Sequence, residues 1–94
     1  MISRHLIVTG RVQGVGYRDA LRGEAEKHGV TGWVRNRRDG SVEALLQGAP
    51  DAVGAVVAWA HRGPAAARVA EIQLGTPAAE FDRTYPGFEH WPTA

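Results

Sequence analysis

The chain has 94 residues, 44% of them apolar, and a formal net charge of +1. That size and balance fit one compact domain with a single core, and they exclude a disordered chain, a membrane-spanning chain and strong bulk attraction to nucleic acid or a membrane surface. With no cysteine present, disulfides, thiolate nucleophiles and zinc–thiolate sites are excluded as well. The longest apolar runs, at 6–8 and 53–60, are far too short to cross a bilayer. The expectation is a cytoplasmic, monomeric protein whose residues 1–94 form one domain. Ten of the eleven basic residues are arginine, a side chain with a planar fork for oxyanions, although genome composition is the simpler source of such a bias.

Residues 4–12 alternate, with Leu6, Val8, Gly10 and Val12 on one side and His5, Ile7, Thr9 and Arg11 on the other. That pattern predicts a strand with one apolar face. A helix is predicted from about Arg18 to His28, with Ala20, Leu21, Ala25 and His28 on its inner face and Gly29 as its stop. Strand-forming residues at 30–36, a turn at "RDGS" (38–41) in which Asp39-Gly40 takes positive φ, and alternation at 41–48 predict a β-hairpin. Pro50-Asp51 opens a second helix, with Val53, Val56, Val57 and Ala60 facing inward and Arg62-Gly63-Pro64 closing it. Residues 67–74 read as a fourth strand, with Ala70, Ile72 and Leu74 on one face. Residues 75–87 read as loop and "FEHW" (88–91) as a short edge strand. The order βαββαβ with a short last strand predicts an α+β two-layer sandwich. Both helices lie on one face of a mostly antiparallel sheet.

The stretch "GRVQGVGYR" (10–18) links the first strand to the first helix. A glycine-rich turn at a helix N-terminus leaves backbone N–H groups pointing outward, lets a ligand approach closely and adds the positive end of the helix dipole. The product is an anion cradle suited to phosphate, and Arg18 adds a fixed charge and a bidentate fork. Taken alone the loop is of low specificity, and a plain tight turn is its simpler reading. It is neither a dinucleotide fingerprint, since Asp19 stands where a third glycine belongs, nor a Walker loop. Asp19, next to Arg18 in sequence, is expected to point elsewhere on the helix.

The two stretches "GRVQGVGYR" (10–18) and "GWVRNRRDGSVEALLQG" (32–48) resemble the acylphosphatase family. Gly10, Val12, Gln13, Gly14, Val15, Tyr17 and Arg18 match its loop motif; Gly32, Trp33, Val34, Asn36, Gly40, Val42 and Gly48 match its hairpin motif. The resemblance covers nearly the whole chain. It implies a ferredoxin-like α/β-sandwich and hydrolysis of acyl phosphates to a carboxylate and inorganic phosphate, with no metal or cofactor. It also implies the roles: Arg18 binds the phosphate, Asn36 orients the attacking water, and the backbone of Gln13, Gly14, Val15, Gly16, Tyr17 and Arg18 cradles the phosphoryl oxygens. The partners implied are a small acyl phosphate and, as product and competitive inhibitor, inorganic phosphate.

Departures from the family pattern fall at Arg37 and Arg38, where small polar residues are frequent after the asparagine, and at His90, where an apolar strand residue is frequent. The competing reading is a non-catalytic ferredoxin-like module that binds an anion or RNA, with Arg35, Arg37 and Arg38 beside Trp33 as a basic, stacking surface. Against RNA, the two stacking rings of the RNA-recognition signature are missing. Trp33, Trp59 and Tyr17 are expected to pack.

Overall fold

A computed structural model describes all 94 residues. Strand β1 (Ile2–Arg11) leads to helix α1 (Tyr17–Lys27), the hairpin β2 (Thr31–Asn36) and β3 (Val42–Gly48), helix α2 (Pro50–Arg62), strand β4 (Arg68–Gly75), a single 3₁₀ turn (Ala79–Phe81) and strand β5 (Phe88–His90). The five strands form one sheet in the order β4-β1-β3-β2-β5. All pairings are antiparallel except β2 with β5. The βαββαβ order with a short fifth strand is the one the sequence predicts. No helix is long and apolar enough to cross a membrane.

The main core lies between the sheet and the helices. Leu6, Val8 and Val12 from the first strand and the loop after it meet Val42, Ala44 and Leu46 from β3 and Val53, Val56 and Ala60 from α2. Each such side chain contributes about 1.5–3 kcal/mol on leaving water. The α1 stripe differs from its predicted composition. It consists of Tyr17, Leu21 and Ala25, spaced four apart, while His28 is exposed and its ring lies 3.6 Å from Glu24. The helix begins one residue earlier than its charge pattern suggests, so Tyr17 supplies the first turn's apolar anchor and His28 falls beyond the packed face. The turn after it matches expectation: Gly29 takes a φ of 70° and the Val30 N–H donates to the Ala25 carbonyl at 2.8 Å. In the hairpin turn only Gly40 has positive φ; Asp39 instead accepts from the Ser41 N–H and hydroxyl.

On β4 the predicted apolar face of Ala70, Ile72 and Leu74 is corrected by a bulge. Thr9 pairs with Glu71 but Gly10 pairs with Val69, so Ala70 is an extra residue in the ladder. The phase of the strand flips there. Val69 and Ile72 pack against the core, Ala70 turns outward and Leu74 is exposed. Glycine is required opposite the bulge: Gly10 has a φ of 119°, and a Cβ there would run into the Arg68 carbonyl and the Ala70 N–H.

The second face of the sheet is covered too. Residues 76–87 are irregular apart from the 3₁₀ turn at Ala79–Phe81, which the predicted loop at 75–87 did not include, and they carry Phe81 and Tyr85 over Trp33 and Leu45. Trp91 stacks on Trp33 with ring centres 4.3 Å apart and 7° between planes. The Trp33 indole N–H donates to the Tyr85 hydroxyl, which donates to the Phe81 carbonyl. Beside these rings Glu43 accepts from His5 at 2.6 Å and from Arg35 at 2.7 Å. The Arg35 guanidinium also lies over Trp33, 5.0 Å from the ring centre. Burial alone pushes the Glu43 carboxyl up, but the hydrogen bonds and charges of His5 and Arg35 outweigh it and hold the group below the usual range.

Candidate active site

β1 and β2 both run antiparallel to β3, so their C-terminal ends emerge at the same end of the sheet. Val42 is the shared partner of Val8 on β1 and Asn36 on β2. Val8 and Asn36 are thereby set about two strand spacings apart, roughly 10 Å, and the loop leaves β1 three residues beyond Val8 at the same end of the sheet.

The loop from Val12 to Gly16 then curls into the start of α1. Gly14 and Gly16 take φ values of 73° and 78°, a left-handed backbone that other residues rarely adopt. Neither is crowded, since a Cβ at either position would meet nothing within 4 Å. Conformation, not space, calls for glycine. Gly16 caps the helix with no side chain to take up its first amides. No N–H group from Gln13 to Asp19 donates to another protein atom. Beside these unpaired donors is a cavity of about 240 Å³ lined by Val12, Gly14, Gly16, Tyr17, Arg18 and Asp19; of the predicted site residues, Gln13, Val15 and Asn36 do not line it. The Arg18 guanidinium makes no ion pair or hydrogen bond inside the protein, although five ion pairs form among other residues. Row, dipole and guanidinium all present positive charge to one concavity.

Tyr17 packs beneath the loop. Its side chain is buried against α2, its hydroxyl donates to the Ala60 carbonyl at 2.7 Å, and its ring lies against Trp59. Burial holds that hydroxyl protonated far above the ordinary tyrosine range. Its backbone N–H has no partner inside the protein.

Asn36 sits at the last position of β2, where its main chain is fixed by pairing with Val42 and by the Ala94 N–H, which donates to the Asn36 carbonyl at 3.0 Å. Its side-chain oxygen Oδ1 is buried and has no hydrogen-bond partner. Leaving such an acceptor unpaired costs about 1–3 kcal/mol. Native structures concentrate such unmet groups where a ligand or water completes them.

Sequence reasoning missed two features of the site. Gln13 acts through more than its N–H: its side-chain amide donates to the Arg37 carbonyl at 2.7 Å and to the Ser41 carbonyl at 2.9 Å, joining the loop to the turn that follows Asn36. A glutamine between a valine and a glycine gives no sign of a partner 24 positions away. Asp19 is among the residues that line the cavity, with its side chain mostly exposed. At the third position of a helix opening on a left-handed glycine, the first turn itself is the rim. Arg37 and Arg38 contribute main-chain groups to the turn: the Arg37 N–H donates to the Ser41 carbonyl and the Arg38 N–H to the Ala94 carbonyl.

Fold and site together define a two-layer α+β protein with a glycine-rich loop of unpaired N–H groups at a helix N-terminus. The acylphosphatase family model matches residues 4–89. An acylphosphatase from Thiobacillus denitrificans is 53% identical over 89 residues, covering 95% of this chain and 96% of the relative. One from Azoarcus sp. is 50% identical over 93 residues, covering 99% and 92%. The crystal structure of acylphosphatase from Bacillus subtilis superposes with a TM-score of 0.89 at 34% identity, covering 97% of this chain and 99% of that one. The chain belongs to the acylphosphatase family and has acylphosphatase activity. That decides between the two readings of the sequence in favour of the enzyme.

Proposed function

We propose that the chain hydrolyses acyl phosphates, with the N–H groups of residues 13–18 and the Arg18 fork holding the phosphoryl group and Asn36 holding the attacking water. The observation that carries this reading is the row of unpaired N–H donors at the start of α1 beside an unpaired arginine. Phosphoryl transfer demands mainly positioning and charge stabilisation, and this site offers both. The Asn36 side-chain NH₂ donates to the water oxygen and so fixes its position. The water oxygen forms the new bond to phosphorus as the bond to the acyl oxygen breaks, and the carboxylate leaves with the electron pair. A carboxyl group has a pKa of about 4 by analogy with Glu, so it departs unprotonated and no general acid is needed. Asn36 is neutral and a poor base, so a phosphoryl oxygen takes the water's proton.

The cradle reads the phosphate end only, and the enzyme acts in the cytoplasm as a monomer of one domain, 1–94. The test is release of benzoate from benzoyl phosphate in the presence of a chelator, with inorganic phosphate competing. Hydrolysis that stops on adding chelator, or phosphate inhibition that is not competitive, contradicts the reading.

A further inference from the structure

Two side chains at the rim of the cradle have no part in the mechanism above. Asp19 is among the residues lining the cavity beside Arg18, with its side chain 84% exposed at the rim, and His90 of β5 brings its Nδ1 to 3.9 Å from Asp19 Oδ1. A carboxylate in the wall of an anion site opposes the site, because it repels the charge the site collects. The helix gains from an acid in its first turn; the cavity loses by it. His90 is placed to offset that loss. β5 lies along β2 with His90 opposite Val34, two residues before Asn36, and α1 packs across both strands.

We propose that the Asp19–His90 pair sets the affinity of the cradle for doubly charged phosphoryl groups. Protonated His90 holds the Asp19 carboxylate and cancels its charge; neutral His90 leaves that charge bare in the cavity wall. The inference rests on the assignment of the cradle to phosphate. Histidine is the side chain that changes charge between about pH 5 and 8, so affinity falls as pH rises through that range.

The other charges around His90 are accounted for. On α1, Arg22 pairs with Glu26 and Glu24 with His28, each at 3.6 Å, and Lys27 lies in the last turn. On β2, Arg35 is turned to the opposite face of the sheet, against Glu43. On β5 itself, Glu89 accepts from the Trp91 indole N–H at 2.7 Å. Asp19 is the one carboxylate within ion-pair distance of the His90 ring.

Sulfate is a suitable probe, since its double charge stays fixed across the range while those of acyl phosphates and phosphate titrate. Its inhibition constant against benzoyl phosphate is measured from about pH 5.5 to 8 for the parent, His90→Asn, Asp19→Asn, the double variant and Arg18→Ala. In the parent the constant rises about two- to fivefold with pH, the scale of an exposed pair. His90→Asn binds weakly and Asp19→Asn tightly at every pH, both without slope, and the double variant matches Asp19→Asn. In His90→Asn, kcat stays at the parent value while KM shifts. A flat parent profile, or a slope that survives in either single variant, overturns the proposal. If Arg18→Ala binds sulfate as well as the parent does, the phosphate cradle itself is wrong; if it binds sulfate more weakly and the slope survives in His90→Asn or Asp19→Asn, the pair alone is wrong.

Discussion

Gln13 Nε2 donates to the carbonyl oxygen of Arg37 at 2.7 Å, across 24 positions of sequence. With its second bond, to Ser41 at 2.9 Å, it ties the anion-binding loop to the turn behind Asn36. The two halves of the site thus share one rivet. Replacing Gln13 by alanine removes both bonds and leaves two carbonyls short of a donor. The expected loss of stability is about 1–3 kcal/mol, read from thermal or denaturant unfolding. Because loop and Asn36 then move relative to each other, kcat should fall by roughly ten- to a hundredfold. A variant that is destabilised but turns over at the parent rate would confine Gln13 to a structural role.

Arg18 has no partner inside the protein, so its removal leaves nothing buried and unpaired. Arg18→Ala is expected to lower kcat/KM for benzoyl phosphate by at least about 100-fold, the scale for losing one donor to transition-state charge. Its stability should stay within about 0.5 kcal/mol of the parent. Arg18→Lys keeps a charge but not the planar fork, and should recover only part of the loss. A folded Arg18→Ala protein with near-normal kcat/KM is the result that would refute the assignment.

Asn36 divides the two steps differently. In Asn36→Ala, kcat should fall by about 100-fold or more while competitive inhibition by phosphate stays close to the parent value, since the water and not the anion is affected. Asn36→Asp replaces a donor by a carboxylate that repels the phosphoryl oxygens, and should be as slow or slower. Full turnover by Asn36→Asp would remove the neutral orienting role.

Glu43 predicts the acid limb of stability. Its carboxyl titrates below the usual range in the folded protein, despite burial, because His5 and Arg35 donate to it. A depressed folded value means the unfolded chain takes up the proton first. The stabilisation is therefore complete above the unfolded carboxyl value of about 4.3 and is lost as pH falls below it through the folded value. Unfolding measured from neutral pH down to about pH 3 should show this decline. Glu43→Gln should start less stable at neutral pH and show a shallower decline. An equal slope in both proteins would place the acid sensitivity elsewhere.

Element order and the two-layer arrangement were legible because the periodicities of 2 and 3.6 are local, and the core faces of β1, β3 and α2 follow them closely. The β4 face was not, because a bulge depends on the partner strand: nothing within 67–74 shows that Gly10 opposite will absorb an extra residue. The second face of the sheet was hidden for a related reason. Leu45, Glu43 and Gln47 alternate out of phase with the apolar set and look solvent-facing. They are buried because an irregular segment without periodicity folds over them. For the site, backbone conformation was readable from glycines and from the loop's place before a helix. Side-chain reach was not: Gln13 spans to the hairpin and Asp19 turns into the rim, and both depend on how three-dimensional neighbours close.

The three tryptophans are divided between the two sides of the sheet. Trp33 and Trp91 stack on the face away from the cradle, whereas Trp59 lies against Tyr17 beneath it. The molecule therefore carries two separate optical reporters. The near-parallel Trp33–Trp91 rings are placed for exciton coupling in near-ultraviolet circular dichroism, and Trp59 emission senses the ground on which the loop rests. Occupancy of the cradle and integrity of the far face can be followed in one sample without an attached label.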